Sequence, residues 1–243
     1  LQDTNRLAEA EPLMRRALAI DEASLGPEHP HVARDLNNLA ILLQATNRLA
    51  EAEPLMRRAL AIDEASYGPE HPDVATDLNS LAQLLQDTNR LAEAEPLMER
   101  VVSIFEKAYG PDHPQVAIGL NNVAALLQAT NRLAEAEPLY RRALAINETN
   151  YGPEHHEVAK SLNNLATVFQ ATNRLAESEL LMRRVVRNFC LFQARTGHAH
   201  PQRETVIRNY VLLLLDMKVP EPEIIRRVEE LEAEAREAAA GGQ

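Results

Sequence analysis

The side chains with the most chemistry to offer are eight histidines, a single cysteine and a dense population of carboxylates. The histidines cluster as His29 and His31, His71, His113, His155 and His156, and His198 and His200. Two clusters have His-x-His spacing, which can bring two imidazole nitrogens to one metal ion. No cysteine or grouped carboxylates complete a ligand set beside them, so no metal site is expected. Cys190 stands alone, which excludes an intramolecular disulfide and a cysteine-based zinc site. It falls at an apolar helix position and reads as a buried, inert thiol. The chain has no glycine-rich phosphate loop and no Gly-x-Ser-x-Gly elbow. Glu51/Glu53 and Glu93/Glu95 recur at fixed spacing, whereas a catalytic pair is normally unique. They read as solvated helix faces. No catalytic residue, no cofactor and no enzymatic activity are expected.

Composition narrows the partners. The 243 residues carry a net charge of −11, against the basic surface that nucleic-acid binding needs. No nucleic-acid partner is expected, nor docking to an acidic membrane. No run of 18 apolar residues suggests a membrane span. Tryptophan is absent and aromatics make up 4%, which argues against a large aromatic ligand pocket. A lone cysteine suits a reducing, cytoplasmic setting. The first residue is Leu1 rather than Met, and the sequence reads as a piece of a longer protein.

An internal repeat must position whatever site exists. Leu43-Gln-Ala-Thr-Asn-Arg48 returns at 85–90, 127–132 (as Leu-Gln-Ala-Thr-Asn-Arg) and 169–174 (with Phe169 leading), a period of 42, and a first copy stands at 1–6. Gly26, Gly68, Gly110 and Gly152 keep the period, and residues 1–42 and 43–84 are identical at 36 positions. Each unit reads as two helices. After Pro72, an N1 proline whose missing N–H costs nothing there, Leu78, Leu81, Ala82 and Leu85 form one apolar stripe. Asn89-Arg90 breaks it. Leu91, Ala94, Met98 and Val101 form a second stripe, with Pro96 near the first turn, and Gly110-Pro111 stops that helix as a C′ glycine followed by a helix breaker. His of each Gly-Pro-x-His turn is expected to cap the next helix or the backbone of its neighbour. One hairpin cannot bury its apolar faces alone; stacked neighbours can, which predicts a solenoid.

The pattern resembles the tetratricopeptide repeat. The small residue of helix A is at Ala40, Ala82, Ala124 and Ala166; the small pair of helix B is Ala52 and Ala59, Ala94 and Val101, Ala136 and Ala143. The 42-residue period exceeds the ordinary 34. With Gly-Pro-Glu-His-Pro at 26–30 and 68–72, Leu-Asn-Asn-Leu-Ala at 36–40 and Glu-Ala-Glu-Pro-Leu at 51–55, the chain is similar to the kinesin-light-chain class of these repeats. The resemblance implies an all-α, right-handed superhelical solenoid of about eleven helices. Its divisions are an array over 1–192 (a half repeat at 1–25, then four repeats), an irregular turn and degenerate helix A over 193–219, and a capping helix and tail over 220–243. In the last two, Ile207, Tyr210, Val211 and Leu214, then Ile224, Val228, Leu231 and Ala235, are the expected stripes; a short coiled-coil seam is the alternative for the second. Gly241-Gly242-Gln243 reads as a flexible end.

The resemblance also implies a peptide-binding groove lined by A helices. Its register places there Arg34, Asn37, Asn38, Ile41, Gln44 and Ala45; then Thr76, Asn79, Ser80, Gln83, Gln86 and Asp87; Ile118, Asn121, Asn122, Ala125, Gln128 and Ala129; Lys160, Asn163, Asn164, Thr167, Gln170 and Ala171; and Thr205, Arg208, Asn209, Leu212 and Leu215. Asn37, Asn79, Asn121 and Asn163 make a ladder, one per repeat. In light-chain arrays such amides contact the cargo backbone; the alternative is that they bond neighbouring helices and shape the solenoid. The six differences between the two closest units are Asp3/Ala45, Leu25/Tyr67, His31/Asp73, Arg34/Thr76, Asn38/Ser80 and Ile41/Gln83, four of them at groove positions. Variation on a fixed scaffold suits a recognition surface. Light-chain arrays hold acidic cargo with basic residues, but here Arg34, Lys160 and Arg208 are opposed by Asp87 and Asp216. The lysine that co-chaperone repeats use to clamp a terminal carboxylate is Asn37. The expected function is an interaction scaffold or adaptor holding a peptide segment of a protein partner. The alternatives are a sensor or regulatory array of a larger multidomain enzyme or switch, and a structural spacer that self-associates through the half repeat at 1–25, whose apolar stripe lacks a partner helix.

Overall fold

A computed structural model of the chain describes residues 2–241; Leu1, Gly242 and Gln243, and with them part of the expected flexible end, lie outside it. Among the described residues there are eleven helices and no strand. They are α1 (Gln2–Leu25), α2 (Pro30–Ala45), α3 (Leu49–Tyr67), α4 (Pro72–Asp87), α5 (Leu91–Tyr109), α6 (Pro114–Ala129), α7 (Leu133–Tyr151), α8 (His156–Ala171), α9 (Leu175–Thr196), α10 (Arg203–Asp216) and α11 (Glu221–Gly241). Two compact units divide after Leu126, within α6.

Local chemistry sets each helix boundary. His29, His71 and His155 cap α2, α4 and α8 in extended backbone, their side chains accepting from the N–H two residues on. The acceptor is Nδ1, at 3.2 Å from His31 N and from Asp73 N, and His113 and His200 do the same for Gln115 and Gln202. An imidazole that accepts at Nδ1 must be neutral with its proton on Nε2. The A helices end on Thr-Asn-Arg. Asn47, Asn89, Asn131 and Asn173 all take φ near +60°, a left-handed turn that asparagine tolerates. Arg48 N then donates to Leu43 O at 2.8 Å and Asn47 N to Gln44 O at 2.9 Å, which satisfies carbonyls the helix would leave open. The B helices end on glycine at positive φ, as expected: Gly68 has φ 87° and ψ 158°, an extended exit, whereas Gly197 after α9 is left-handed. Pro96 is the sixth residue of α5, beyond its first turn, and the helix runs through it with the ring on the exposed side.

In the first unit α2 and α3 form one hairpin and α4 and α5 the next; α1 packs on α2, and α3 on α4. Leu36, Leu39, Ala40 and Leu43 of α2 and Ala52, Met56 and Ala59 of α3 are buried to within 1%. Each such leucine contributes roughly 1.5–3 kcal/mol by leaving water. The small residues named from the sequence, Ala82, Ala94, Ala124, Ala136 and Ala166, are all fully buried.

In the second unit α7 packs on α8 and α8 on α9, and α11 lies mainly against α9 rather than pairing with α10. Its stripe is consumed there: Ile224, Leu231 and Ala235 are buried, so it is not a free coiled-coil seam. On α10 the buried residues are Val206, Tyr210, Leu213 and Leu214. The expected stripe was rotated, since Ile207 and Val211 are only half-buried. Tyr210 turns inward because its hydroxyl finds a carboxylate: it donates to the buried Glu179 at 2.8 Å.

Candidate functional site

The repeated Thr-Asn-Arg turn does more than end a helix. Arg48 holds Glu51 three residues on and, 2.6 Å away, Glu11 of the preceding helix α1. Arg90 holds Glu93 and Glu53 in the same way, and Arg174 holds Glu177 and Glu137. Glu11, Glu53 and Glu137 are therefore links between repeats, while Glu51, Glu93 and Glu177 stay on exposed faces. The guanidinium hydrogen bonds hold the carboxyls of Glu51 and Glu93 below the usual range. Each exposed pair is worth little alone, but the device recurs with the repeat.

The residues expected in the groove divide by environment. Arg34, Asn38, Ile41, Thr76, Gln83, Ile118, Lys160, Gln170 and Arg208 are exposed; Gln44, Asn79, Gln86, Asn121, Asn122, Gln128, Asn163 and Asn164 are half-buried; Asn37 is buried. Several amides are already engaged. Asn122 Nδ2 donates to Asn79 Oδ1 at 2.7 Å, tying α6 to α4. Gln86 reaches Met98 Sδ at 3.2 Å, Gln128 accepts from the Tyr140 hydroxyl at 3.1 Å, and Gln170 donates to Ser178 Oγ at 3.1 Å. The glutamine row thus braces A helices against their own B helices. Gln44 and Gln83 both donate to Asp87, and Lys160 is spent on Glu157 at 2.7 Å.

Two ladder amides differ. Asn37 Oδ1 and Asn121 Oδ1 are buried without a hydrogen-bond partner. Asn37 lines a pocket of about 340 Å³ where α3 passes behind the first turns of α2 and α4. The lining includes Arg34 and Thr76, named from the sequence as groove positions, and Asp63, Tyr67, Asp73 and Asp77, which sequence reasoning did not name as site residues. Asp63 and Asp77 are only 7% and 5% exposed. Burial, then the charge of Asp63, pushes the Asp77 carboxyl up to about 8; burial raises Asp63 as well, with Asp73 adding to it. A signal was present in the sequence: Asp63 and Asp77 sit on the apolar faces, beside Ile62 and Leu78, where later repeats carry Phe105 and Gly119 or Asn147 and Ser161.

A second pocket, of about 770 Å³, lies among α9, α10 and α11 and is lined by Cys190, Arg203, Glu232 and Arg236. Arg203 is ion-paired with Glu232. Cys190 is buried, and burial pushes its thiol up, away from the reactive thiolate. Among the described residues, no group of three or more His, Cys, Asp or Glu is arranged to hold a metal ion, and no helix is long and apolar enough to cross a membrane.

Known proteins place this architecture. A solved structure from Podosopora anserina, a protein of nearly identical TPR-like repeats that carries the name kinesin light chain, is 26% identical with a TM-score of 0.69, over 86% of this chain and 98% of that one. BtubC (BKLC) from P. vanneervenii shares the fold at 19% identity and a TM-score of 0.72, over 99% of this chain and 92% of that one. MamA from Desulfovibrio magneticus RS-1 is more distant, at 13% identity and a TM-score of 0.56, over 83% and 96%. No curated protein matches the sequence. The tetratricopeptide repeat model matches residues 1–65, 36–107, 78–149 and 115–190. With its kinesin-light-chain-like neighbours and a repeat covering most of its length, the chain belongs to the tetratricopeptide repeat family.

Proposed function

We propose that the chain is an adaptor that holds a peptide segment of a protein partner along the exposed side of its A helices. Tetratricopeptide repeats are non-catalytic protein–protein interaction modules. The finer reading rests on where the two closest repeats differ. Arg34/Thr76, Asn38/Ser80 and Ile41/Gln83 all stand on the solvent side of α2 and α4, while the stripes beneath them are unchanged. Ile41 and Ile118 remain 47% and 48% exposed, apolar contacts left open on a polar face.

A displayed library of random peptides, panned on the full chain, tests this. The expected result is enriched sequences that lose binding to the Ile41→Glu/Ile118→Glu variant, whose substitutions leave the core untouched. Enriched peptides that bind the variant as tightly as the parent would place recognition elsewhere.

A second reading is favoured by α1. Leu13 and Ile20 are 68% and 54% exposed, whereas the matching Leu55 is half-buried and Ile62 is buried. This face suits a second copy of the chain. Sedimentation should then show dimers that Ile20→Glu dissociates; a monomer at all concentrations would dismiss it.

A further inference from the structure

The pocket at Asn37 is built from groups that are expensive to bury and that the protein itself leaves unanswered. No donor of the chain reaches Asn37 Oδ1, Asp63 Oδ1 or Asp77 Oδ2, although all three atoms are shielded from solvent. Asn37 is 8% exposed, so its orphaned oxygen is as buried as those of the two carboxyls. Leaving a buried acceptor unmade costs about 1–3 kcal/mol. Three such atoms, buried on three residues that line one pocket, are therefore a poor scaffold and suit a receptor.

The repeat supplies the control. The positions of Asp63 and Asp77 hold Asn147 and Ser161 two repeats later, where Asn147 Nδ2 donates to Ser161 Oγ at 2.9 Å and the pair closes on itself. One repeat later they hold Phe105 and Gly119, with no polar group at all. The preceding repeat has the same pair as Asp21 and Asp35, both only half-buried; the two later repeats show that the solenoid does not need carboxyls here. The pocket also gathers the variable positions: Tyr67, Asp73 and Thr76 on its wall replace Leu25, His31 and Arg34 of the preceding unit.

We propose that this pocket is a receptor for a primary ammonium group, supplied by a lysine side chain of the peptide partner. An ammonium carries three N–H donors and no acceptor. That matches three acceptor oxygens, two of them on carboxyls, and it brings a charge that compensates their burial. A divalent ion is the weaker match, because the acidic groups are not arranged as metal ligands. The inference rests on the groove reading only for the source of the lysine.

The groups facing the pair are His31 and Arg34 from α2, Tyr67 from α3, and Asp73 and Asp77 from α4, with His71 of the turn beside Asp63. Three carboxyls stand against one guanidinium, and Arg34 is 64% exposed at the rim, 3.8 Å from Asp35. The empty pair keeps one proton between its carboxyls, and the incoming ammonium displaces it to solvent. Affinity should therefore climb between pH 6 and pH 9.

The test uses the full chain and Nα-acetyl-lysine-N-methylamide, with the norleucine analogue as control, followed by backbone amide NMR. The expected result is saturable shifts at residues 37, 63 and 77 from the lysine probe alone. Asp77→Asn should weaken binding at least about tenfold, Asp63→Asn likewise, and Arg34→Ala should tighten it. Both Asn variants mimic the neutral pair at Asn147 and Ser161, so folding is not at stake. Equal shifts from norleucine, or indifference to both Asn variants, would overturn the pocket. The groove is separable: library peptides that bind but tolerate Lys→norleucine would sink the ammonium reading and spare the groove. A lysine probe that binds where no peptide does would spare the pocket and remove the groove.

Discussion

Asp63/Asp77 and Asn147/Ser161 occupy the same two register positions, one at the C-terminal part of a B helix and one on the following A helix. In the later pair a buried amide finds a buried hydroxyl, and Ser161 Oγ in turn donates to Glu157 O at 3.1 Å. In the earlier pair two carboxyls lie beside each other on the lining of a pocket to which Asn37, with its unpartnered buried Oδ1, also belongs. The backbone is alike, so the difference is chemical. One site is finished by the chain; the other is held ready for a group the chain does not place there. Repeats that differ little in sequence can thus divide the work between holding the fold and holding a ligand.

The comparison can be broken by exchanging the pairs. Placing two carboxyls in the later site (Asn147→Asp with Ser161→Asp) should destabilise the protein by about 3 kcal/mol at pH 8, because no pocket ligand compensates the buried charge there. Most of that loss should return at pH 5, and urea unfolding at both pH values would show it. Ser161→Ala removes only the partner of Asn147 and should cost about 1–2 kcal/mol by the same measurement.

Asp77→Asn should act the opposite way. Asp77 keeps its proton in the folded chain up to about 8, whereas an unfolded aspartate loses it at about 3.9. Between those values the unfolded chain binds fewer protons, so native stability falls as pH rises through that window. The variant should flatten the fall and gain about 1 kcal/mol at pH 8, the usual cost of function to stability; thermal unfolding against pH reads it. The smallest effect belongs to the Arg clamps. Arg90→Ala should lower the melting temperature only slightly, and less in high salt, because its ion pairs with Glu53 and Glu93 lie at the surface.

Much of the fold was legible because its signals are local and repeated. His71-Pro72 marks where α4 starts, Asn89 at φ 58° where it has ended, and Leu78, Leu81 and Leu85 the face it buries. The irregular end was harder: α10 rotated so that Tyr210 could reach Glu179, a partner 31 residues away that no periodicity reveals. The candidate site was half legible. Repeat register named Arg34, Asn37 and Thr76 as groove positions, but it pointed to no pocket and treated every A-helix amide as equivalent. Which amides are spent, as Asn79 is on Asn122, depends on contacts between repeats. Asp63 and Asp77 were passed over because a charged residue on an apolar stripe looks like a surface residue until the neighbouring helix closes over it.

The most direct measurement is a carbon-13 NMR titration of the aspartate carboxyls in the full chain, with and without the capped lysine. The account predicts one carboxyl, lost in Asp77→Asn, titrating near 8 in the free protein and shifting to lower pH when the lysine probe is bound. An Asp77 that titrates in the ordinary carboxylate range, with no response to the probe, would contradict it.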